Sequence, residues 1–276
     1  MAPRDWQQRL EGLDIVPQGN PTPLSGGDIA AVWRLETTQG PVILKQDDAQ
    51  RLAGEADGLR ALQAAGTSLV VPGILGLDDD LLVMEALETG GRRNEQALGE
   101  GLRELHAVTG DTHGWERDNA CGMTPQPNTP CDDGRVFQRD YRLLPLGRAC
   151  HDKGLLDEAT LVSLESVAGR LEEWLPDTRP RLLHGDLWSG NVLYTTQGPA
   201  IIDPAVYRHY PEVDLAMLAL FGSPSTAFFE AYWDGPAPDD WSRRQTLFQL
   251  YPLLNHLLLF GSGYRGAVAR AIAELL

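Results

Sequence analysis

Apolar positions recur at two different periods along the chain, and the change from one to the other divides it. Short apolar or alternating runs at 30–35, 42–45, 69–72 and 81–84 predict strands. Within that stretch Leu52, Ala56, Leu59 and Leu62 fall on one helical stripe, which predicts a helix over 48–65 stopped at Gly66. Trp6, Leu10 and Leu13 predict a short amphipathic helix within 1–20, followed by a Pro/Gly turn. From residue 94 the helical period takes over. Leu98, Leu102 and Leu105 mark a helix over 94–106, and further helices are predicted at 137–146, 158–174, 214–233 and 245–260. Pro252 then stands as a kink or first-turn residue. Residues 110–130, rich in Gly, Pro, Thr and Asn, predict a long loop. The pattern is that of an α+β protein: a mainly β lobe over 1–87 carrying one main helix, then a mainly helical lobe over 88–276.

The densest chemistry lies at 182–204, where L-L-H-G-D-L-W-S-G-N-V-L-Y is followed by A-I-I-D-P. Asp, Asn and Gly favour turns, so H-G-D alone is ordinary turn chemistry. The whole set is more demanding. Asp186 precedes Asn191 by five residues, and Asp203 ends a short apolar run. This is the spacing of a phosphoryl-transfer loop, in which one Asp meets the acceptor hydroxyl while an Asn and a second Asp hold Mg²⁺. Carboxylate and amide oxygens suit that hard cation. Apolar segments at 181–183 and 192–194 can pin the loop to a rigid core.

Two upstream features fit the same chemistry. Leu24-Ser25-Gly26-Gly27-Asp28 is a glycine-rich turn between strands, and the backbone at Gly26 and Gly27 can close over phosphates. The strand at 42–45 ends in Lys45, one of only two lysines in the chain, the other being Lys153. A strand lysine in that place holds nucleotide phosphates in the protein-kinase type of site, and Glu55 on the next helix can pair with it. Met84, Glu85, Ala86 and Leu87 leave the last strand as a candidate hinge whose backbone can bond adenine. His106 is expected at the edge of the core rather than as a ligand. Gly261-Ser262-Gly263-Tyr264-Arg265-Gly266 matches G-x-G-x-x-G, but it follows a helix, so a helix–helix turn is expected there. Neither lysine is preceded by Gly, which excludes a P-loop.

Composition narrows the partners. A formal charge of −16 would repel polyanions, so neither nucleic acid nor an anionic membrane is expected to bind. The N-terminal stretch is too polar for a signal peptide, and the longest apolar run near the C-terminus, at 253–260, is too short to span a bilayer. Cys121, Cys131 and Cys150 form no C-x-x-C pair, which suits a reducing cytoplasm.

With these motifs placed, the chain resembles the fructosamine kinase (ketosamine-3-kinase) family, within the aminoglycoside-phosphotransferase and protein-kinase-like superfamily. The resemblance rests on L-H-G-D-L-W-S-G-N at 183–191, D-P-A-V-Y at 203–207, V-D-L-A-M at 213–217, T-P-Q-P-N-T at 124–129 and L-Y-P-L-L-N-H-L-L-L-F-G at 250–261. Glu55-Ala56 followed by Gly58-Leu59 also fits. It implies a bilobal kinase fold and ATP- and Mg²⁺-dependent phosphorylation of O3 in ketosamines such as fructosamine or ribulosamine, free or protein-linked, which leads to deglycation. By position, Asp186 is then the base, Asn191 and Asp203 hold Mg²⁺, Lys45 with Glu55 fixes the phosphates, and Met84, Glu85, Ala86 and Leu87 hold adenine. Trp188 and Tyr207 are candidate substrate contacts, His184 a scaffold residue, and Asp214 a brace for the loop.

The chain departs from the family pattern at Arg208-His209-Tyr210-Pro211, at Pro130 after T-P-Q-P-N-T, and at Asp28, where many members carry Cys. The first departure leaves substrate selection open. Kinases of aminoglycosides, choline or sugars share the fold and remain an alternative, as does a nucleotide-binding regulator without turnover. The sugar, the amine and the oligomeric state, monomer or weak dimer, are not specified.

Overall fold

The computed structural model describes residues 6–24 and 30–276. Five antiparallel strands form the N-terminal sheet: β1 (Thr22–Pro23), β2 (Ala31–Leu35), β3 (Val42–Gln46), β4 (Ile74–Asp78) and β5 (Leu81–Glu85), in the order β1-β2-β3-β5-β4. Strand alternation decides its two faces. Val42 and Leu44 of β3, with Leu81 and Val83 of β5, pack under helix α1 (Trp6–Glu11) through Trp6 and Leu10. The intervening residues Leu82 and Met84 face helix α2 (Ala49–Ala64) and meet Leu52, Ala56 and Leu59. Lys45 shares the α2 face because it pairs with Leu82. The α2 helix starts where Asp48 accepts from the Gln50 and Arg51 N–H groups, an N-cap of the ordinary kind.

The rest of the chain is mostly helical. It comprises α3 (Glu95–Leu105), the hairpin β6 (Asn119–Cys121) and β7 (Thr124–Gln126), α4 (Gly134–Phe137), α5 (Leu144–Asp152) and α6 (Glu158–Ala168). Two short ribbons follow. The first pairs β8 (Arg181–Leu183) with β11 (Tyr207–His209), and the second pairs β9 (Val192–Thr195) with β10 (Gly198–Ile201). Helices α7 (Glu212–Leu220), α8 (Thr226–Trp233), α9 (Trp241–Phe260) and α10 (Arg265–Leu275) close the fold. The main core lies among these helices and ribbons, with Phe228, Phe248 and Leu254 fully enclosed. Among the described residues no helix is long and apolar enough to cross a membrane.

Several expectations change. The run at 69–72 does not join the sheet. Val70 instead bridges to β10, donating to Pro199 O at 2.9 Å and accepting from the Ile201 N–H at 3.0 Å. Two sheet strands are unexpected, the two-residue β1 and the edge strand β4, whose irregular register between Ile74 and Gly76 obscures its alternation. The expected loop at 110–130 carries the β6–β7 hairpin. The expected helix at 214–233 is two helices, broken at Gly222, whose φ is 142°, and restarted after Pro224. Between α4 and α5 the backbone takes a π-helical turn over Gln138–Leu143, and Gln138 and Arg142 are both buried there.

Candidate active site

The two ribbons set the loops at 184–191 and 202–206 side by side. Their cross-links are dense. Ala205 N–H donates to His184 O at 2.9 Å and Ile202 N–H to Asn191 O at 3.1 Å. The Asn191 amide nitrogen donates to Asp186 O at 2.9 Å, which leaves Oδ1 as its free ligating atom. His184 is committed on both sides. Its Nε2 meets the carbonyl of Ile202 at 2.9 Å, so that nitrogen carries the proton, and Nδ1 accepts from the Asp186 N–H at 3.3 Å. A histidine spent this way orients the loop and has no lone pair left for the acceptor hydroxyl.

Asp214, on α7, holds the loop from beneath. Its carboxylate accepts from His184 N–H at 2.7 Å and Gly185 N–H at 2.9 Å. His106 lies 3.2 Å from the same carboxylate through Nε2 and 2.7 Å from the Tyr232 hydroxyl through Nδ1. Burial alone would raise the pKa of Asp214. His106 and the loop N–H groups outweigh it, and the carboxyl is held below its usual range.

Gly185 sits at φ 84°, and a Cβ there would lie 2.0 Å from Ala205 O. Gly185→Ala is therefore expected to push the two loops apart, lowering the melting temperature and cutting turnover at least tenfold, an effect of about 1.4 kcal/mol or more. Wild-type melting and turnover in that variant would contradict the close approach. At Gly190 a Cβ would first meet the Trp188 ring, 2.2 Å away, a side chain rather than backbone.

Asp186, Asp203, Asn191, Lys45, Glu55 and Trp188 line one cleft of about 680 Å³ between the lobes. Lys45 Nζ lies 2.7 Å from Glu55 Oε2 and 3.0 Å from Asp203 Oδ1. Burial lowers the Lys45 pKa, but the two carboxylates more than offset it and the ammonium stays charged. Burial raises Glu55 against the pull of Lys45. Glu55 reaches Lys45 because α2 packs on the sheet face that carries Lys45, and the same helix also presses on the second lobe. Gly54 and Gly58 bring it against Asn119, Pro204 and Val206, and the Asp57 carboxylate accepts from Trp115 Nε1 at 2.7 Å. Asp186 is half-buried and its pKa is pushed up to about 7. Burial is the main cause, the Cys121 thiol opposes it, Asp203 and Asp214 add to it, and Lys45 opposes it.

The donor set fits a nucleotide with Mg²⁺. Among the described residues no three His, Cys, Asp or Glu side chains are grouped to hold a metal alone. Mg²⁺ typically takes only one or two protein oxygens and completes its shell with water and phosphate, so Asn191 and Asp203 suffice. Glu55 Oε1 is buried without a hydrogen-bond partner, which marks the Lys45 end of the cleft as polar space.

Other candidate residues fall elsewhere. Gly26 and Gly27 lie outside the described residues. Met84, Glu85, Ala86 and Leu87 do not line the cleft cavity. The Glu85 and Ala86 N–H groups are occupied by Gly73 O at 2.8 Å and Pro41 O at 3.1 Å, so neither can donate to adenine as it stands. Tyr207 is corrected from a substrate contact to a core residue. It is 1% exposed, and its ring stacks on buried Arg142, 4.3 Å from the guanidinium carbon. Strand alternation in β11 turns Tyr207 and His209 inward and Arg208 outward. Arg208 lies over Trp115 in a separate groove, His209 contacts His113 and Gln138, and the Tyr210 hydroxyl donates to Pro176 O. None of Arg208, His209, Tyr210 and Pro211 lines the cleft. T-P-Q-P-N-T is likewise a brace. Gln126 and Asn128 donate to Asn119, Gln126 accepts from Tyr251, and Asn128 accepts from Arg142.

Among the cleft residues that escaped the sequence reading are Phe221, His256, Phe260 and Tyr264. For three of them the signal was the i, i+4 spacing of 256, 260 and 264, running from the end of an otherwise buried helix into the turn after it.

The fructosamine kinase family model matches residues 8–276. The Synechocystis protein named "Probable ketoamine kinase" is 35% identical over 92% of this chain and 89% of its own. The chloroplastic protein-ribulosamine 3-kinase of Arabidopsis thaliana is 34% identical over 92% of this chain and 81% of its own. A solved structure from Thermobifida fusca, a candidate fructosamine-3-kinase, superposes with a TM-score of 0.89 at 30% identity, covering 99% of this chain and 98% of its own. An aminoglycoside phosphotransferase in a complex with streptomycin and ATP shares the fold at a TM-score of 0.64 and 17% identity, over 100% of this chain and 97% of its own. The chain belongs to the fructosamine kinase family, and with it to the ATP-dependent phosphotransferases on the protein-kinase-like fold.

Proposed function

We propose that the protein is a ketosamine kinase that transfers the γ-phosphate of ATP to the sugar O3 of ketoamines such as ribulosamine or fructosamine, free or protein-linked, as a step in deglycation. The observation that carries this reading is that Asp186, Lys45, Asn191 and Asp203 line one cleft, in a chain of this family.

Asp186 positions the O3 hydroxyl and accepts its proton as the new P–O bond forms and the bond to the ADP oxygen breaks. Asp214 and His184 keep the loop that carries Asp186 in register. Lys45, oriented by Glu55, would hold nucleotide phosphate. Asn191 Oδ1 and the Asp203 carboxylate would hold Mg²⁺, which would supply charge neutralisation for the phosphoryl group. The stretch at 84–87 would hold adenine, with the Glu85 and Ala86 N–H groups already engaged by Gly73 O and Pro41 O. The three cysteines form no disulfide, which agrees with a reducing cytoplasm as the site of action.

Two results are expected with purified protein. Chelating divalent cations with EDTA abolishes phosphorylation, and Mg²⁺ restores it. Phosphorus–proton correlation NMR of the product places the phosphate on O3. Full activity in EDTA would remove Asn191 and Asp203 from their role, and phosphate on another oxygen would displace the O3 assignment.

A further inference from the structure

Of the six Phe and seven Trp in the chain, only Trp188, Phe221 and Phe260 are exposed, at 38%, 40% and 56%. All three line the cleft of Asp186. Exposed aromatic surface concentrated in one place marks a ligand-contact site rather than random surface.

Three elements build a shelf there. Phe221 caps α7 at its C-terminus, and its ring centroid lies 4.8 Å from His256 on α9. Phe260, the last residue of α9, lies 5.3 Å from His256 and 6.3 Å from Tyr264 in the turn that follows. His256 is fixed beneath them, with Nδ1 2.7 Å from Pro252 O. The charged groups lining the cleft, Lys45, Asp47, Arg51, Glu55, Asp186 and Asp203, belong to the sheet, α2 and the catalytic loops. The shelf itself carries no Lys or Arg and so offers no counter-ion to a carboxylate. Aromatic faces favour apolar groups and cations.

Resting on the ketosamine reading above, we propose that Phe221, Phe260 and Tyr264 form the subsite for the amine-bearing half of the substrate. The sugar reaches Asp186 beside Trp188, and the amine carrier extends over the shelf. The preferred class is then ketosamines of alkyl or aryl amines, including the methylene run and ammonium of a lysine-type adduct. Carriers with a carboxylate next to the amine are disfavoured, because that charge would be desolvated without a partner.

The test keeps the sugar constant and varies the amine, comparing kcat/KM for ribulosamines of methylamine, hexylamine, benzylamine and glycine. The hexyl and benzyl adducts should exceed the methyl adduct by roughly tenfold or more, the scale of apolar-pocket discrimination, and the glycine adduct should fall below it. Phe260→Ala should collapse the hexyl-to-methyl ratio to about twofold or less, and Phe221→Ala should act in the same direction. Phe260 is exposed enough that its removal leaves folding intact. Equal rates across the four amines, or a Phe260→Ala variant that lowers all of them by one factor, would overturn the subsite while leaving the ketosamine reading in place. Turnover on none of them would overturn both.

Discussion

Replacing Asp186 with Asn is expected to lower turnover on a ketosamine by about 10²–10⁴-fold while ATP binding persists, the usual cost of losing a positioned base. The amide is nearly isosteric, so the loop should survive. The bonds that hold the loop run through the Asp186 backbone N–H and carbonyl rather than its carboxylate. Binding and chemistry therefore separate in this variant. The pH profile gives a second reading. A carboxylate accepts a proton only when ionised, so activity rises with pH across the pKa of Asp186. That limb lies at or below about 7, because a cation held beside Asp203 would favour the ionised form. Wild-type turnover in Asp186→Asn would remove Asp186 from the role of base, and loss of ATP binding would show that the variant damages the loop instead.

Asp214→Ala is expected to cost about 3–5 kcal/mol of stability and to remove activity with it. The side chain is fully buried and supports three groups at once, the N–H groups of His184 and Gly185 and the ring of His106. Truncation leaves all three buried without that acceptor. A urea midpoint within about 1 kcal/mol of wild type would mean that water replaces the carboxylate at little cost. The linkage has a definite sign. The folded pKa of Asp214 is depressed, so its contribution is complete above the ordinary Asp value of about 3.9 and fades as pH falls through the lower folded value. Acid unfolding of the wild type should therefore be steeper in that window than that of Asp214→Ala.

The chain advertises its phosphoryl-transfer loop because the residue types and their spacing are dictated by local chemistry. Asp186, Asn191 and Asp203 lie within 18 residues of one another in the sequence and meet through hydrogen bonds within and between two adjacent loops. Lys45 and Glu55 were legible for a similar reason, since strand alternation and helix period put both on the face they share. Legibility ended where sequence neighbourhood and spatial neighbourhood part. Tyr207 follows Asp203 closely, but β11 turns its side chain into the core against Arg142. Arg208 looked like a change beside the metal site, yet alternation points it to the opposite groove. The shelf of Phe221, Phe260 and Tyr264 was hidden because it joins the ends of two helices and a turn whose apolar pattern otherwise reads as core. The edge strand β4 escaped because its irregular register masks the period on which strand prediction depends.

ADP release from Mg-ATP, measured with a ribulosamine, a fructosamine and an aminoglycoside as acceptors and with both wild type and Asp186→Asn, separates a ketosamine kinase from its alternatives. Turnover on a ketosamine, little on the aminoglycoside, and collapse of the ketosamine rate in the variant are expected. Turnover confined to the aminoglycoside, or ketosamine turnover that survives in Asp186→Asn, would contradict the proposed function.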